Sequence, residues 1–220
     1  EEIKFWNTID LILSISDNDR SYIIKYCNTP THTIGLHAEK RLLQNSDQSR
    51  KVDFFHLGTM NWLPNLDGIN WLLKNVFPKV KQTEKSAEIH IAGRAMSTKL
   101  KSHKQDGYYN HGEVKNAEDF MSKHKVMLIP LFSGSGIRVK IIEGMSLGKC
   151  IISTSIGVKG INCTNNKNIL IANSKNEFIK AMCFCIQNPD KVYEIGNEAK
   201  KYARDNFSKK NIINKLNKII

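Results

Sequence analysis

Short apolar runs alternate with longer stretches in which apolar residues recur at helical spacing. Residues 52–57, 87–92, 126–131, 150–153 and 168–172 are brief and rich in Val, Ile, Leu and Phe, the pattern of buried strands. Residues 107–111 form a weaker strand of the same kind. Between these runs the period changes. Leu66, Ile69, Leu72, Leu73 and Val76 share a helix face that Pro78 is expected to end. Asn116 suits the N-cap of a helix through Ser122, and residues 97–104 a short polar helix. Residues 175–186, 190–205 and 211–220 close the chain as helices, the last two basic. Upstream, residues 9–15 read as a strand and Ser16 as an N-cap with acidic residues in the first turn. Strands alternating with helices predict an α/β fold, a parallel sheet covered on both faces.

One junction carries the chemistry. The apolar run at residues 126–131 ends at Pro130, Ser133-Gly-Ser-Gly136 makes a turn of small residues, and Ile137, Ile141, Ile142 and Met145 then repeat at helical spacing up to Gly148. A helix start of this kind offers free N–H groups and a positive dipole end to an anion. A dinucleotide fingerprint would need a third Gly where Val139 stands, and the P-loop signature is absent. The plain alternative is a strand–helix connection with Lys140 and Glu143 as a solvated i,i+3 pair. Against it stand Arg138 and Lys140, two cations at a helix N-terminus, each disfavoured by the dipole by roughly 0.3–1 kcal/mol when exposed. A bound anion would reverse that sign.

Pro130-Leu-Phe-Ser-Gly-Ser-Gly-Ile-Arg-Val-Lys-Ile-Ile-Glu-Gly-Met-Ser-Leu-Gly-Lys149 resembles the donor-site segment of GT-B glycosyltransferases of the group 1, family four type. It is most similar to the branch whose segment reads Gly-Ser-Gly-Ile-Arg-x-Lys. The resemblance runs from about Asn7 to the C-terminus. His56-Leu-Gly-Thr-Met-Asn-Trp-Leu-Pro-Asn-Leu-Asp-Gly68, Ile89-His-Ile-Ala-Gly93, Tyr109-Asn-His-Gly-Glu-Val114 and Ile151-Ile-Ser-Thr154 match other parts of that donor domain in order. It implies a Rossmann-like donor domain over residues 51–205. Residues 1–50 would be the end of an N-terminal acceptor domain and, from Thr29 to Arg50, the link between domains, and residues 206–220 a C-terminal helix. Most of the acceptor domain would lie outside these 220 residues, leaving this piece alone inactive or a poor catalyst.

The resemblance also assigns residues. Glu143 would hold the ribose hydroxyls, a task suited to a carboxylate as double acceptor. Gly112, Glu113 and Val114 would frame the base, with His111 and His90 beside them read as structural. The family's first acidic position falls on Ser135, so sugar recognition would shift to backbone groups of Gly134, Ser135, Gly136 and Ile137. The first loop departs too: Thr59 follows Gly58 where relatives carry Arg, and Pro64 and Asn65 occupy the usual Lys region. Arg138 and Lys140 would then take over the diphosphate. Trp62, beside Asn61 in that loop, either covers a donor or anchors the next helix. No residue is assigned as catalytic. The implied reaction is retaining hexosyl transfer from a nucleotide diphosphate sugar to a polysaccharide or glycolipid, with no metal and no cofactor.

Composition adds partners and place. The formal net charge of +12, from 33 Lys and Arg against 21 Asp and Glu, calls for anionic partners. Without clustered aromatics on strands or a recognition-helix motif, nucleic acid is not the expected one. The C-terminal lysines leave a peripheral contact with the inner face of a membrane open. No apolar run reaches the ~18 residues of a membrane span, and five scattered cysteines without metal spacing point to a reducing, cytoplasmic setting. Two alternatives stay open: a GT-B sugar-nucleotide epimerase, against which Ser135 in the acidic slot argues, and a basic nucleic-acid-binding module.

Overall fold

The structure, a computed structural model, describes residues 1–37 and 51–219. Six strands carry the main sheet: β3 (Phe54–Leu57), β4 (Ile89–Ala92), β5 (Tyr108–Gly112), β6 (Val126–Ile129), β7 (Cys150–Ser153) and β8 (Leu170–Ile171). Their order is β5-β4-β3-β6-β7-β8, and every neighbouring pair is parallel. This is the doubly wound order in which the chain starts at the centre, builds outward one way, then returns to build the other. Strands buried on both faces read as near-continuous apolar runs, and β6 and β7 are buried at every position, the one polar side chain, Ser153, donating to the Ile129 carbonyl.

Alternate side chains feed two cores. On one face Phe54, Ile89, Ile91, Val126 and Leu128 meet Ile69, Leu72, Val76 and Phe77 of the long helix after β3 and Phe178 and Met182 of α8 (Lys175–Gln187). On the other, Phe55, Met127, Ile129 and Ile151 meet Phe120 and Met121 of α6 (Ala117–Ser122) and Ile141, Ile142 and Met145 of α7 (Val139–Ser146). The 19-residue α9 (Pro189–Phe207) passes from one core to the other, giving Val192 and Ile195 to the first and Ala199, Ala203 and Phe207 to the second. Short α5 (Thr98–Ser102) and C-terminal α10 (Lys209–Leu216) complete this part. The expected Rossmann-like α/β fold is the one observed.

Ahead of the main sheet, β1 (Ile12–Ser14) pairs in parallel with β2 (Thr31–Thr33), beside α1 (Glu2–Trp6) and α2 (Asp17–Ile23), over a small core of Ile12, Ile23 and Cys27. Ser16 caps α2 as expected, its hydroxyl accepting from the Asp19 amide at 3.0 Å. The polar pattern hid β2 inside the expected link, because Thr-His-Thr has no apolar alternation. The remainder of that link, residues 38–50, lies outside the described residues. Among the described residues no helix is long and apolar enough to cross a membrane.

Two boundaries differ from the pattern. Pro78 does not end its helix: α3 (Leu63–Trp71) runs through a π turn, Leu72–Val76, into α4 (Phe77–Thr83). The wider turn places Pro78 in the first turn of the next segment, where a missing N–H costs little. Phe77 and Val80 keep the apolar stripe buried across it. The helix after the Gly-rich turn begins at Val139, so Arg138 is its N-cap residue and only Lys140 lies in its first turn.

Candidate active site at the centre of the sheet rim

β3 leads into α3 on one face of the sheet and β6 into α7 on the other, so their carboxyl ends part and leave a crevice where the strand order reverses. Gly58 and Thr59 leave β3 at this point, and residues 130–138 leave β6. The two strands are tied across the gap by His56, whose Nδ1 lies 2.8 Å from the Leu128 carbonyl oxygen.

Three polar nitrogens converge over Gly58. A Cβ there would come within 2.5 Å of Lys140 Nζ, 2.7 Å of Asn65 Nδ2 and 2.9 Å of His56 Nε2, so only glycine leaves the space in which they meet. Asn65, 2% exposed, spans the loop: its Nδ2 donates to the Thr59 carbonyl at 2.9 Å and its Oδ1 accepts from Lys140 Nζ at 3.3 Å. Burial, and then the nearby Arg138 charge, push the Lys140 ammonium down to about 8, although Glu143 one turn along α7 acts the other way. His56 is fully buried, and burial with the Lys140 charge holds it neutral, down at about 3. Its Nε2 has no hydrogen-bond partner.

Arg138 is folded back over the loop it follows. Its Nη1 donates to the carbonyl oxygens of Ser135 and Gly136, the latter at 2.9 Å. Its guanidinium lies 5.1 Å from the ring centre of Trp62, a cation–π contact. The side chain is 8% exposed and burial lowers its pKa, yet Nε and Nη2 have no partner. Gly134 makes this packing feasible: at φ +107 and with Trp62 and Arg138 pressed on it, a Cβ would meet Arg138 Nη2 at 2.6 Å. The rim thus holds two desolvated cations, and among the described residues no carboxylate is paired with Arg138.

Of the residues expected at the site, Gly58, Thr59, Gly134, Ser135, Gly136, Arg138, Lys140 and Glu143 gather at this crevice. Ile137 turns inward against Gly160 and the second core. Gly112 ends β5 and Val114 follows two residues on, two strands from β3, which is about 10 Å along the rim. They join the same edge through backbone bonds, Gly58 N–H to Ala92 and Gly93 N–H to Gly112. Gly112 has nothing within 4 Å of its Cβ position, so the surface above it is open. The sequence reading did not assign His56 or Asn65 to the site. A signal for the first existed: a lone histidine in a run as apolar as Phe54-Phe-His-Leu57 must find a buried partner. Asn65 gave none, because its role depends on Lys140, 75 positions away. Trp62 stands at the N-cap position of α3 with its ring against the Arg138 guanidinium.

A doubly wound α/β domain with a cation-lined crevice at its topological switch point is the class this arrangement defines. The chain belongs to the glycosyl transferases group 1, whose family model matches residues 51–188. An uncharacterized 44.6 kDa protein in the cps region of Klebsiella pneumoniae is 23% identical over 221 residues, covering 96% of this chain and 56% of that protein. Among solved structures, TarM superposes with a TM-score of 0.80 at 16% identity, over 99% of this chain and 45% of TarM. Anabaena Alr3699/HepE in complex with UDP-glucose gives 0.71 at 13% identity, over 99% of this chain and 64% of that one. The chain therefore spans about half the length of these relatives, and the fold it shares is the Rossmann-like domain of GT-B glycosyltransferases.

Proposed function

We propose that the crevice binds the nucleotide diphosphate of a sugar donor, and that the protein transfers the sugar, with retention, to a polysaccharide or glycolipid acceptor. Arg138 and Lys140 take the diphosphate, Glu143 the ribose, and the segment from Gly112 to Val114 the base. The separation of about 10 Å between Gly58 and the end of β5 suits a ligand whose charged middle and base are held apart. Structures of S. aureus TarM with UDP and of HepE with UDP-glucose support a uridine nucleotide as the first donor to test.

The observation that carries this reading is the pair of desolvated cations, with two buried Arg138 donors unpartnered. A buried charged group left without partners costs several kcal/mol, and a diphosphate supplies both charge and acceptors. The same arrangement serves chemistry. When the bond between the anomeric carbon and the phosphate oxygen breaks, negative charge grows on the leaving diphosphate, where these fixed cations stabilise it. Ser135, in place of a carboxylate, leaves the sugar to hydrogen bonds from the loop at residues 134–137. Acceptor contacts come from the rest of the protein, and this chain alone binds donor without efficient transfer.

Calorimetric titration with UDP, GDP, ADP, uridine and a short oligonucleotide tests it. Binding of a nucleoside diphosphate, much tighter than the nucleoside and weakened by Arg138→Ala, is the expected result. Equal affinity for uridine and UDP, or preference for the oligonucleotide, would overturn it.

A further inference from the structure

On the second face of the sheet, away from the rim, three histidines from separate segments meet. His90 lies in β4, His111 in β5 and His124 just before β6, and each offers a ring nitrogen within 4.8 Å of the other two. His90 Nδ1 and His111 Nε2 are 3.0 Å apart. Two ligands on one tetrahedral metal at Zn–N distances of about 2.0–2.1 Å sit only slightly further apart, roughly 3.3 Å. We propose that His90, His111 and His124 form a binding site for one first-row divalent transition metal, with Zn²⁺ the best match, backed by Asp53.

The surroundings fit a ligand set more closely than a chance cluster. Asp53 Oδ2 lies 2.5 Å from His124 Nδ1, which fixes the proton there and leaves the lone pair on Nε2. The same oxygen lies 3.8 Å from His90 Nε2, the nitrogen remote from His111, and Glu88 stands 3.9 Å from it. A carboxylate behind the far nitrogen of a ligating imidazole sets its tautomer and raises its basicity. The Asp53 carboxylate is itself fixed, accepting from the Lys125 amide at 2.8 Å. Aromatic rings hold the imidazoles in place: Tyr109 stacks on His90 at 4.7 Å and 10°, and Phe55 on His124 at 5.6 Å. Three imidazoles suit Zn²⁺, Co²⁺, Ni²⁺ or Cu²⁺ rather than Mg²⁺ or Ca²⁺.

Such an ion would clamp edge strand β5 to β4 and to the turn before β6. His111 immediately precedes Gly112, so the clamp would also steady the end of β5. The site touches the donor region only through the end of β5, and its test, which uses metal alone, does not depend on the proposed reaction.

The untagged 220-residue chain, stripped of metal, should be titrated with Co²⁺ and followed by visible absorption. One equivalent with the intense d–d bands of a tetrahedral site, displaced by one equivalent of Zn²⁺, is expected. His111→Ala should abolish the bands; His111 is exposed on an edge strand, so this variant tests the site without opening a core. Asp53→Asn should weaken Co²⁺ affinity by roughly 10–100-fold, the usual effect of losing a supporting carboxylate. His103→Ala, outside the cluster, should change nothing. Absence of stoichiometric binding, or bands that persist in His111→Ala, would overturn the site.

Discussion

The same two strands, β3 and β6, carry a buried polar cluster at each end, and the two clusters are balanced differently. At the amino ends, Asp53 accepts from His124 and from the Lys125 amide, and the buried Lys149 ammonium donates to the carbonyls of His124 and Ser122 at 2.7 and 3.1 Å. At the carboxyl ends, His56 Nε2 and Arg138 Nε and Nη2 are buried and unpartnered. At the amino ends Asp53 and the Lys149 ammonium find their partners within the chain, and only imidazole lone pairs are left for an outside cation; at the carboxyl ends Arg138 donors and positive charge are uncompensated. Buried polar groups are nearly always satisfied, so a concentration of exceptions marks the place where something from outside belongs.

The largest effect expected from this contrast is on stability. Asp53→Ala breaks a satisfied buried network and should cost about 3 kcal/mol in urea unfolding. Lys140→Met, at the opposite end, removes a desolvated charge and should leave stability unchanged or higher. Equal losses in both variants would erase the distinction between the clusters.

Binding comes next. Arg138→Ala should weaken UDP by about 1.5–3 kcal/mol, roughly 10- to 150-fold, the range for a charged hydrogen-bond partner. Uridine affinity should stay put, and the loss should shrink in high salt as screening removes the charge contribution. A smaller effect is expected from Glu143→Gln, about 1 kcal/mol, the difference between a charged and a neutral hydrogen bond. Because the ribose is common to both ligands, this variant should weaken uridine and UDP alike. A loss confined to UDP would move Glu143 from the ribose to the diphosphate.

How far the sequence revealed this contrast depends on the range of the interactions. Alternating strands and helices, the caps at Ser16 and Asn116, and the central strand–turn–helix are local patterns, and the structure reproduces them. The presence of Arg138 and Lys140 beside the turn was visible as well. Their burial was not, because it is made by Trp62 and Asn65 from the other side of the crevice. The same limit hid the histidine cluster: residues 90, 111 and 124 have no metal-ligand spacing and meet only because β5 pairs with β4 while His124, in the turn before β6, lies against Phe55 of β3 and His90 of β4. Pro78 misled for the opposite reason, since a local rule for ending helices gave way to a π turn under a continuous apolar stripe.

The finest test concerns the proton on Lys140. Burial holds this ammonium at about 8, against an ordinary 10.5. The folded chain therefore carries fewer protons than the unfolded one between those values, and its stability should rise with pH through that window. Donor binding should respond in the other direction. A diphosphate beside Lys140 favours the charged form, so binding takes up a proton and affinity falls as pH passes through 8. Between pH 7.5 and 8.5 the loss should be about threefold for one group titrating at 8. Phosphate ionisation near 6 is complete by then and adds nothing. Lys149 is also lowered to about 8, but its partners are backbone carbonyls at the opposite end of the strands, so donor binding leaves it unchanged. Calorimetry of UDP binding at pH 8 in two buffers of different ionisation enthalpy should show the uptake of a fraction of one proton. Lys140→Met should abolish that uptake and flatten the pH profile. An uptake that survives in the variant would assign the proton elsewhere and free Lys140 from the diphosphate.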